Sequence, residues 1–364
     1  MDRASPLLEA MEQAGGVSGD YHGQALMGHF GDPAGEYVAA TESAAVFDRS
    51  HRSRLVVGGR APGKMLNGVL AGVMPQPPSE AGGVMSGRST YHAVLTPKGK
   101  MITDLWATLL GDEEVNGYLL DVPAAGREGL LSLFAKVMPP RFASVRDVTA
   151  ETAMVAVVGP EAAQLVSQQA LQGRVTPDNL EALDEGEWRS VGALSGSLMV
   201  TRTADVRPHA FLVTGPAGAI VDLWRAVVAG GARPAGLRAW STLRVEAGRP
   251  AFGIDMDEET IPPEAGIGDR AIDHKKGCYT GQEVIVRIRD RGHVNRHLRL
   301  LTLGDVPTPA EGTELLAADG SGKVIGRITS AVQSPPAGGV IALAYVARDT
   351  SAVLVDGHQV SVPE

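Results

Sequence analysis

The string Lys276-Gly277-Cys278-Tyr279-Thr280-Gly281-Gln282-Glu283 brings together a thiol, a cation and two glycines, with Lys275 directly upstream. Thr280 and Glu283 have the spacing of a capping box, and Tyr279 and Val284 could form the flanking hydrophobic staple. A helix is therefore expected to run through Val284-Ile285-Val286-Arg287-Ile288 and to stop near Gly292, a residue suited to the position after a helix end. That places Cys278 just outside a helix N-terminus beside two lysines. The dipole and the ammonium groups favour thiolate over thiol, so nucleophilic chemistry or transient metal ligation is what these residue types support. Gly277 lets the backbone approach a partner closely. The competing reading is a buried Cys packed as a small inert hydrophobe; the polar, cationic setting favours the reactive thiol.

Further along, Arg287, Arg289, Arg291, Arg296 and Arg299 lie interleaved with His293 and His297. Such a stretch can hold a phosphate, a polyglutamate tail or RNA. Arg287 and Arg291 share a helix face by their spacing of four, and Arg296 follows as a third candidate for anion binding. A solvated helix end, with cations complementing the C-terminal dipole, is the alternative.

The elements that must position these residues show an approximate repeat. Leu55-Val56-Val57-Gly58 is followed by a helix opening at Pro62, and Met154-Val155-Ala156-Val157-Val158-Gly159 is followed by one near Glu161. Pro and Glu both suit a first helical turn. In the first copy strands are expected at 91–95, 102–110 and 118–122 and a helix at 126–137; in the second, strands at 198–202 and 210–214 and a helix at 217–228. This order predicts two α+β units with mostly antiparallel sheets. The Pro- and Gly-rich residues 75–83 read as a surface loop. Beyond residue 296 come short β-rich runs at 298–303, 314–317, 324–329, 340–346 and 352–355, which suggest a small closed or nearly closed β-domain. Gly320-Ser321-Gly322-Lys323 lacks the full phosphate-loop spacing and reads as a hairpin turn.

Composition bounds the answer. The 364 residues are too many for one ordinary core, and 44% hydrophobic with 21% charged residues excludes wholesale disorder. The net charge of −9 argues against coating nucleic acid with the whole surface, leaving only a local basic patch. A single Cys rules out an intramolecular disulfide and every all-Cys metal framework within one chain, so no metal site is assigned. The N-terminal residues contain no apolar secretory core, no run is long enough to span a bilayer, and the expected compartment is the reducing cytoplasm.

The string from Lys276 to Glu283, with Arg287, Arg291-Gly292 and Asn295-Arg296, resembles the defining motif of the YgfZ proteins, folate-binding relatives of the glycine-cleavage T-protein (aminomethyltransferase). The resemblance extends along the chain. Phe47-Asp48-Arg49-Ser50-His51 is similar to the family's Phe-Asp-x-Ser-His, and Leu243-Arg244-Val245-Glu246-Ala247-Gly248 to its Leu-Arg-x-Glu-Ala-Gly. Ile261-Pro262-Pro263-Glu264-Ala265 and Gly326-Arg327-Ile328-Thr329-Ser330 resemble two further segments, Pro-x-Glu-Ala and Gly-x-x-Thr-Ser. The resemblance implies an α+β fold, a three-domain ring around a central channel. Residues 1–52 with 150–255 would form a first, discontinuous α+β domain and 53–149 a second. Residues 256–292 would be a connection carrying the motif, and 293–364 a C-terminal β-barrel. It implies tetrahydrofolate as ligand, with Asp104, Arg244, Glu246 and His51 as binding residues. It also implies a role in iron–sulphur cluster assembly or repair, or in tRNA modification, with Cys278 as the reacting group and Lys276, Gly277, Tyr279, Gly281, Gln282 and Glu283 shaping its site.

Departures accompany the likeness. Of the paired Asp of T-proteins only Asp104 is kept. The segment Arg202-Thr203-Ala204-Asp205-Val206-Arg207-Pro208-His209 lacks both glutamates that T-proteins place after Arg-Thr, one of which holds the pterin, and Trp240 stands where they have Arg. A pterin edge rich in donors wants a buried carboxylate, so these changes argue against aminomethyl transfer of the T-protein type. The leading expectation is a YgfZ-like accessory of iron–sulphur enzymes. The alternatives are a folate-dependent aminomethyl or one-carbon transferase using Asp104, and a non-catalytic module that docks tRNA or protein through residues 287–299. For Arg244 and Glu246 a structural buried ion pair competes with a ligand role.

Overall fold

Side-chain alternation along Thr152–Val158 sets the architecture of the larger sheet. Ala153, Val155 and Val157 point to one face, where Ala162–Gln169 and Ala217–Ala229 pack; Met154, Ala156 and Val158 point to the other, against Phe47, Trp240 and Leu243. The computed structural model describes residues 4–21, 24–192 and 196–363. Eight strands make this sheet, in the order Arg233–Ala235, Ala45–Asp48, Thr152–Val158, Ala210–Pro216, Met199–Thr203, Glu187–Val191, Val84–Arg88, Ser79–Ala81. All pairings in it are antiparallel except the first.

A five-stranded sheet has the order Ser144–Asp147, Ser53–Gly58, Tyr118–Val122, Met101–Leu109, Thr90–Leu95. The expected duplication is visible as topology. In each unit the first strand leads to a helix, two strands follow, and a third returns beside the first before a closing helix, Arg127–Val137 or Ala217–Ala229. On Met101–Leu109, Leu105, Ala107 and Leu109 face the helices, so Asp104 and Trp106 must face the other way. That opposite face looks onto the centre of the molecule.

The C-terminal strands form a six-stranded curled half-barrel in the order Arg296–Gly304, Gly339–Ala347, Val324–Ser334, Glu314–Ala317, Ala352–Val355, His358–Ser361. The glycine pair at 320 and 322 turns with φ of 78° and 67°, a conformation that glycine adopts without strain, between Glu314–Ala317 and Val324–Ser334 as a hairpin requires.

One expectation needs correction. Residues 75–83 are not loop throughout: Ser79–Ala81 pairs with Val84–Arg88 across a Gly82-Gly83 turn, and the second of these strands pairs with Glu187–Val191. The Gly pair that signals a break in the ladder is here the turn of a hairpin. The strands Ala45–Asp48, Ser144–Asp147, Glu187–Val191 and His358–Ser361, each only four or five residues long, also belong to the sheets.

Candidate functional site

Where the two α+β units meet lies a cavity of about 140 Å³. A buried water needs about 10–15 Å³ on that measure, so there is room for part of a ligand and not merely one trapped solvent molecule. The walls come from distant stretches: Tyr91, Asp104 and Trp106 from the smaller sheet, Arg49, His51 and Arg52 from the crossover between units, Trp240 and Arg244 from helix Leu237–Glu246, and residues 249–254 with Arg270 from the connection.

Asp104 is 7% exposed and lines this cavity. Tyr91 Oη donates to its Oδ2, and its Oδ1 is buried without a hydrogen-bond partner. Burial raises its pKa, against the lowering effects of the Tyr91 bond and Arg52. Arg270 lies over Tyr91, with its guanidinium 4.2 Å from the ring centroid, and 5.1 Å from that of Trp106. Its Nε donates to Glu185 at 3.0 Å and its Nη2 reaches Asp205 at 3.2 Å. Burial would raise the pKa of Asp205, but Arg270, Arg52 and Arg49 bring it down. Arg52 pairs with Asp121 at 2.7 Å.

His51 borders the cavity, its Nδ1 buried and unpartnered and its ring edge-on to Tyr21 at 6.4 Å. Burial, then Arg49, Arg52 and Arg54, push its pKa well below the usual value, so the imidazole is neutral at physiological pH. Arg244 is 5% exposed and lines the cavity while pairing with Asp255 at 2.5 Å and Ser330 Oγ at 2.9 Å; Asp255 in turn accepts from Thr329 and Ser330 of the half-barrel. It is thus a cavity residue held in a buried ion pair, with Asp255 and not Glu246 as its partner. Glu246 is not in the wall: Tyr37 and Ser334 donate to its carboxylate at 3.0 and 2.7 Å, which corrects its assignment to ligand binding.

The motif of residues 276–283 folds differently from expectation. The helix is Gln282–Arg291, its N-cap is Gly281 at φ 83°, and no side chain caps it. Thr280 Oγ1 points to Gly68 O at 3.5 Å, so the capping box does not form. Gly281 is required here on two counts: its positive φ, and a Cβ that would fall 2.6 Å from Thr96 O. Gly292 caps the C-terminus at φ −134°, an extended conformation. Lys276 Nζ donates to Leu70 O and Gly72 O at 2.6 and 3.0 Å, pinning the motif to the smaller unit instead of facing the thiol. Tyr279 is 6% exposed with its hydroxyl unpartnered, whereas Cys278, Gly277 and Glu283 are exposed and Gln282 half-buried. Cys278 is therefore not an inert core residue, and it does not line the cavity.

Arg287 and Arg291 are exposed along one helix face, as their spacing requires. Arg296 does not join them as a free cation; it pairs with Glu264 at 3.0 Å and lies over Tyr345, 4.5 Å from the ring centroid. Among the described residues no cluster of three or more His, Cys, Asp or Glu is placed to hold a metal, and no helix is long and apolar enough to cross a membrane. Sequence reasoning missed Tyr91, Asp205 and Arg270. Tyr91 sits opposite Trp106, and Asp104 opposite Ala93, in the register of adjacent strands, and only that pairing brings Tyr91 and Asp104 together on one face.

Two α+β units of like topology and a curled half-barrel, with an arginine-lined cavity between the units, define a three-part architecture. The GCVT N-terminal domain family matches residues 7–276 and the glycine cleavage T-protein C-terminal barrel domain matches 296–363, so the chain belongs to the glycine-cleavage T-protein family. The aminomethyltransferase of Cutibacterium acnes is 30% identical over 357 residues, covering 96% of this chain and 92% of that protein. That of Rubrobacter xylanophilus is 31% identical over 348 residues, covering 96% and 88%. The crystal structure of glycine cleavage system aminomethyltransferase T from Bartonella henselae shares the fold, with a TM-score of 0.83 at 20% identity over 100% of this chain and 97% of that one.

Proposed function

We propose that the chain binds a reduced folate in the central cavity and handles a one-carbon unit there, in keeping with the name aminomethyltransferase carried by its relatives. This favours the transferase alternative over the accessory role that the motif alone suggests. The observation that carries it is Asp104: a buried carboxyl, held at one oxygen by Tyr91, with the other oxygen turned to no protein donor. A reduced folate, when bound, supplies the amine nitrogens that accept a one-carbon unit. Asp104 is placed to accept a hydrogen bond from such a nitrogen and to hold or take up its proton, and burial suits it to keep that proton at higher pH than an exposed Asp. Trp106 provides flat apolar wall for a ring, and Trp240 lies in the same wall beneath Arg49. With both pterin glutamates absent, Asp205 is the other acid of the wall and the acceptor available to the ring edge.

The same tryptophans make the test direct. Tetrahydrofolate should quench intrinsic fluorescence saturably below millimolar ligand, and Asp104→Asn should weaken binding about tenfold, the loss typical of one charge-assisted hydrogen bond. A flat titration to millimolar ligand would remove the reading.

A second reading, support of iron–sulphur enzymes in the YgfZ manner, is favoured by one observation. Cys278 is exposed, within reach of a macromolecular partner, and Arg287 and Arg291 are exposed nearby in sequence to contact protein or tRNA. One thiolate cannot hold a cluster alone, so a partner would have to share it.

A further inference from the structure

Of the five arginines lining the cavity, four are answered by the protein itself. Arg52 has Asp121, Arg244 has Asp255, and Arg270 has Glu185 and Asp205. Arg249 donates to Ala204 O at 3.1 Å and lies 3.8 Å from Glu185. Arg49 is different. It is 8% exposed, it makes no ion pair among the described residues, and its Nε and Nη1 are buried without hydrogen-bond partners. Its guanidinium lies over Trp240, 4.0 Å from the ring centroid. Stacking on an aromatic face orients a guanidinium but leaves its in-plane N–H donors free.

A buried cation without a counter-ion destabilises the fold that holds it unless something else supplies the anion. Two more orphaned nitrogens belong to the same wall: Nδ1 of His51, two residues on, and Nε of Arg244, one helical turn beyond Trp240. Neither is needed by any protein acceptor. We propose that Arg49, held against Trp240, is the receptor for a carboxylate that the cavity's ligand carries, with Arg244 Nε and His51 Nδ1 completing its coordination. A carboxylate fits better than a phosphate dianion, because only one guanidinium lacks a carboxylate of its own, and the flat fork of Arg matches a carboxylate bidentately. This inference rests on the cavity being the ligand site; it does not require the ligand to be a folate.

The carboxylate has two sources, the glutamyl tail of a folate or a separate small acid such as an amino acid. The test follows tryptophan fluorescence of the full chain titrated with tetrahydrofolate, with 6-methyltetrahydropterin, which has no carboxylate, and with glycine. Arg49→Met should weaken the carboxylate-bearing ligand by about tenfold to a hundredfold and leave the methyltetrahydropterin affinity unchanged. Loss confined to tetrahydrofolate assigns the carboxylate to the tail; loss of glycine binding assigns it to a separate acid. Arg49→Lys, which keeps the charge without the fork, should fall between. If tetrahydrofolate fails to bind while glycine binds and needs Arg49, the folate reading falls and the carboxylate receptor stands. A melting comparison guards against a structural explanation: ligand-free Arg49→Met should melt at or above wild type, since an unmatched charge has been removed. A lower melting temperature, equal losses for all ligands, unchanged binding in Arg49→Met, or no carboxylate binding to wild type would each overturn the proposal.

Discussion

Tyr91 and Asp104 stand diagonally across two antiparallel strands, and the phenol donates to one carboxylate oxygen while the other stays without a partner. Burial keeps the Asp104 proton on the folded protein above the unfolded value of 3.8. Between that value and the higher native one, the folded state binds more protons than the unfolded state, so stability falls as pH rises. Asp104→Asn cannot ionise, and its carbonyl still accepts from Tyr91. It should therefore be more stable than wild type near neutral pH, by about 0.5–2 kcal/mol, the order of a single stabilising substitution. The gain should vanish in acid below the unfolded value. Melting curves at the two pH values check it, and an equal difference at both would refute the assignment.

Arg270 holds the other side of Tyr91. Its substitution by Met leaves Glu185 and Asp205 without their shared cation and removes the guanidinium from over the ring. Because both acids keep some solvent contact, the loss should be roughly 2 kcal/mol, less than for a fully buried pair. Burial raises the pKa of Asp205 and the arginines lower it, with the lowering prevailing, so this stabilisation is present above the unfolded value of 3.8 and is lost as pH falls through the native one. Urea midpoints of Arg270→Met and wild type should thus converge in acid. Arg270→Lys should recover part of the loss at neutral pH.

The parts of this site that the sequence showed and hid follow from its physics. Asp104, His51 and Arg244 sit in segments whose spelling marks them by resemblance, while the face Asp104 occupies, opposite Leu105, is set by the sheet. Tyr91, Asp205 and Arg270 come from three separate stretches, and nothing local to any of them signals the other two. Their meeting is a product of strand register and of the connection folding back across the cavity. The capping box failed for a related reason. Its spacing was correct, but tertiary contact of Gly281 with Thr96 and Thr280 with Gly68 fixed the chain before the helix. Glu246 was spelled like a ligand residue, yet its helix face turns it to Tyr37 and Ser334.

Lys276 offers a pH test of how the motif is anchored. Its ammonium is bound to two carbonyls in a half-buried place, and burial brings its pKa from 10.5 to about 8. The native state gives up this proton before the unfolded state does, so stability should rise with pH between about 8 and 10.5. Lys276→Met should lack that rise, and should lose about 1 kcal/mol at neutral pH because two carbonyls are left without their donor. Parallel slopes for the two proteins across that range would show that the lysine is not buried as described.

Cys278 separates the two functional readings. The thiol is exposed and outside the cavity wall, so a maleimide should label it stoichiometrically in the native protein without denaturant. Saturating tetrahydrofolate should not slow the labelling, and Cys278→Ser should bind tetrahydrofolate within about twofold of wild type, since no first contact is lost. Protection by ligand would instead put the thiol at the folate site and reverse its placement. In cells the two sites should part company: if iron–sulphur enzyme activity falls with Cys278→Ser and not with Asp104→Asn, the exposed thiol carries a role of its own. If only Asp104→Asn has an effect, the cavity accounts for the protein's function, and the motif around Cys278 serves to anchor the connection through Lys276 and Tyr279.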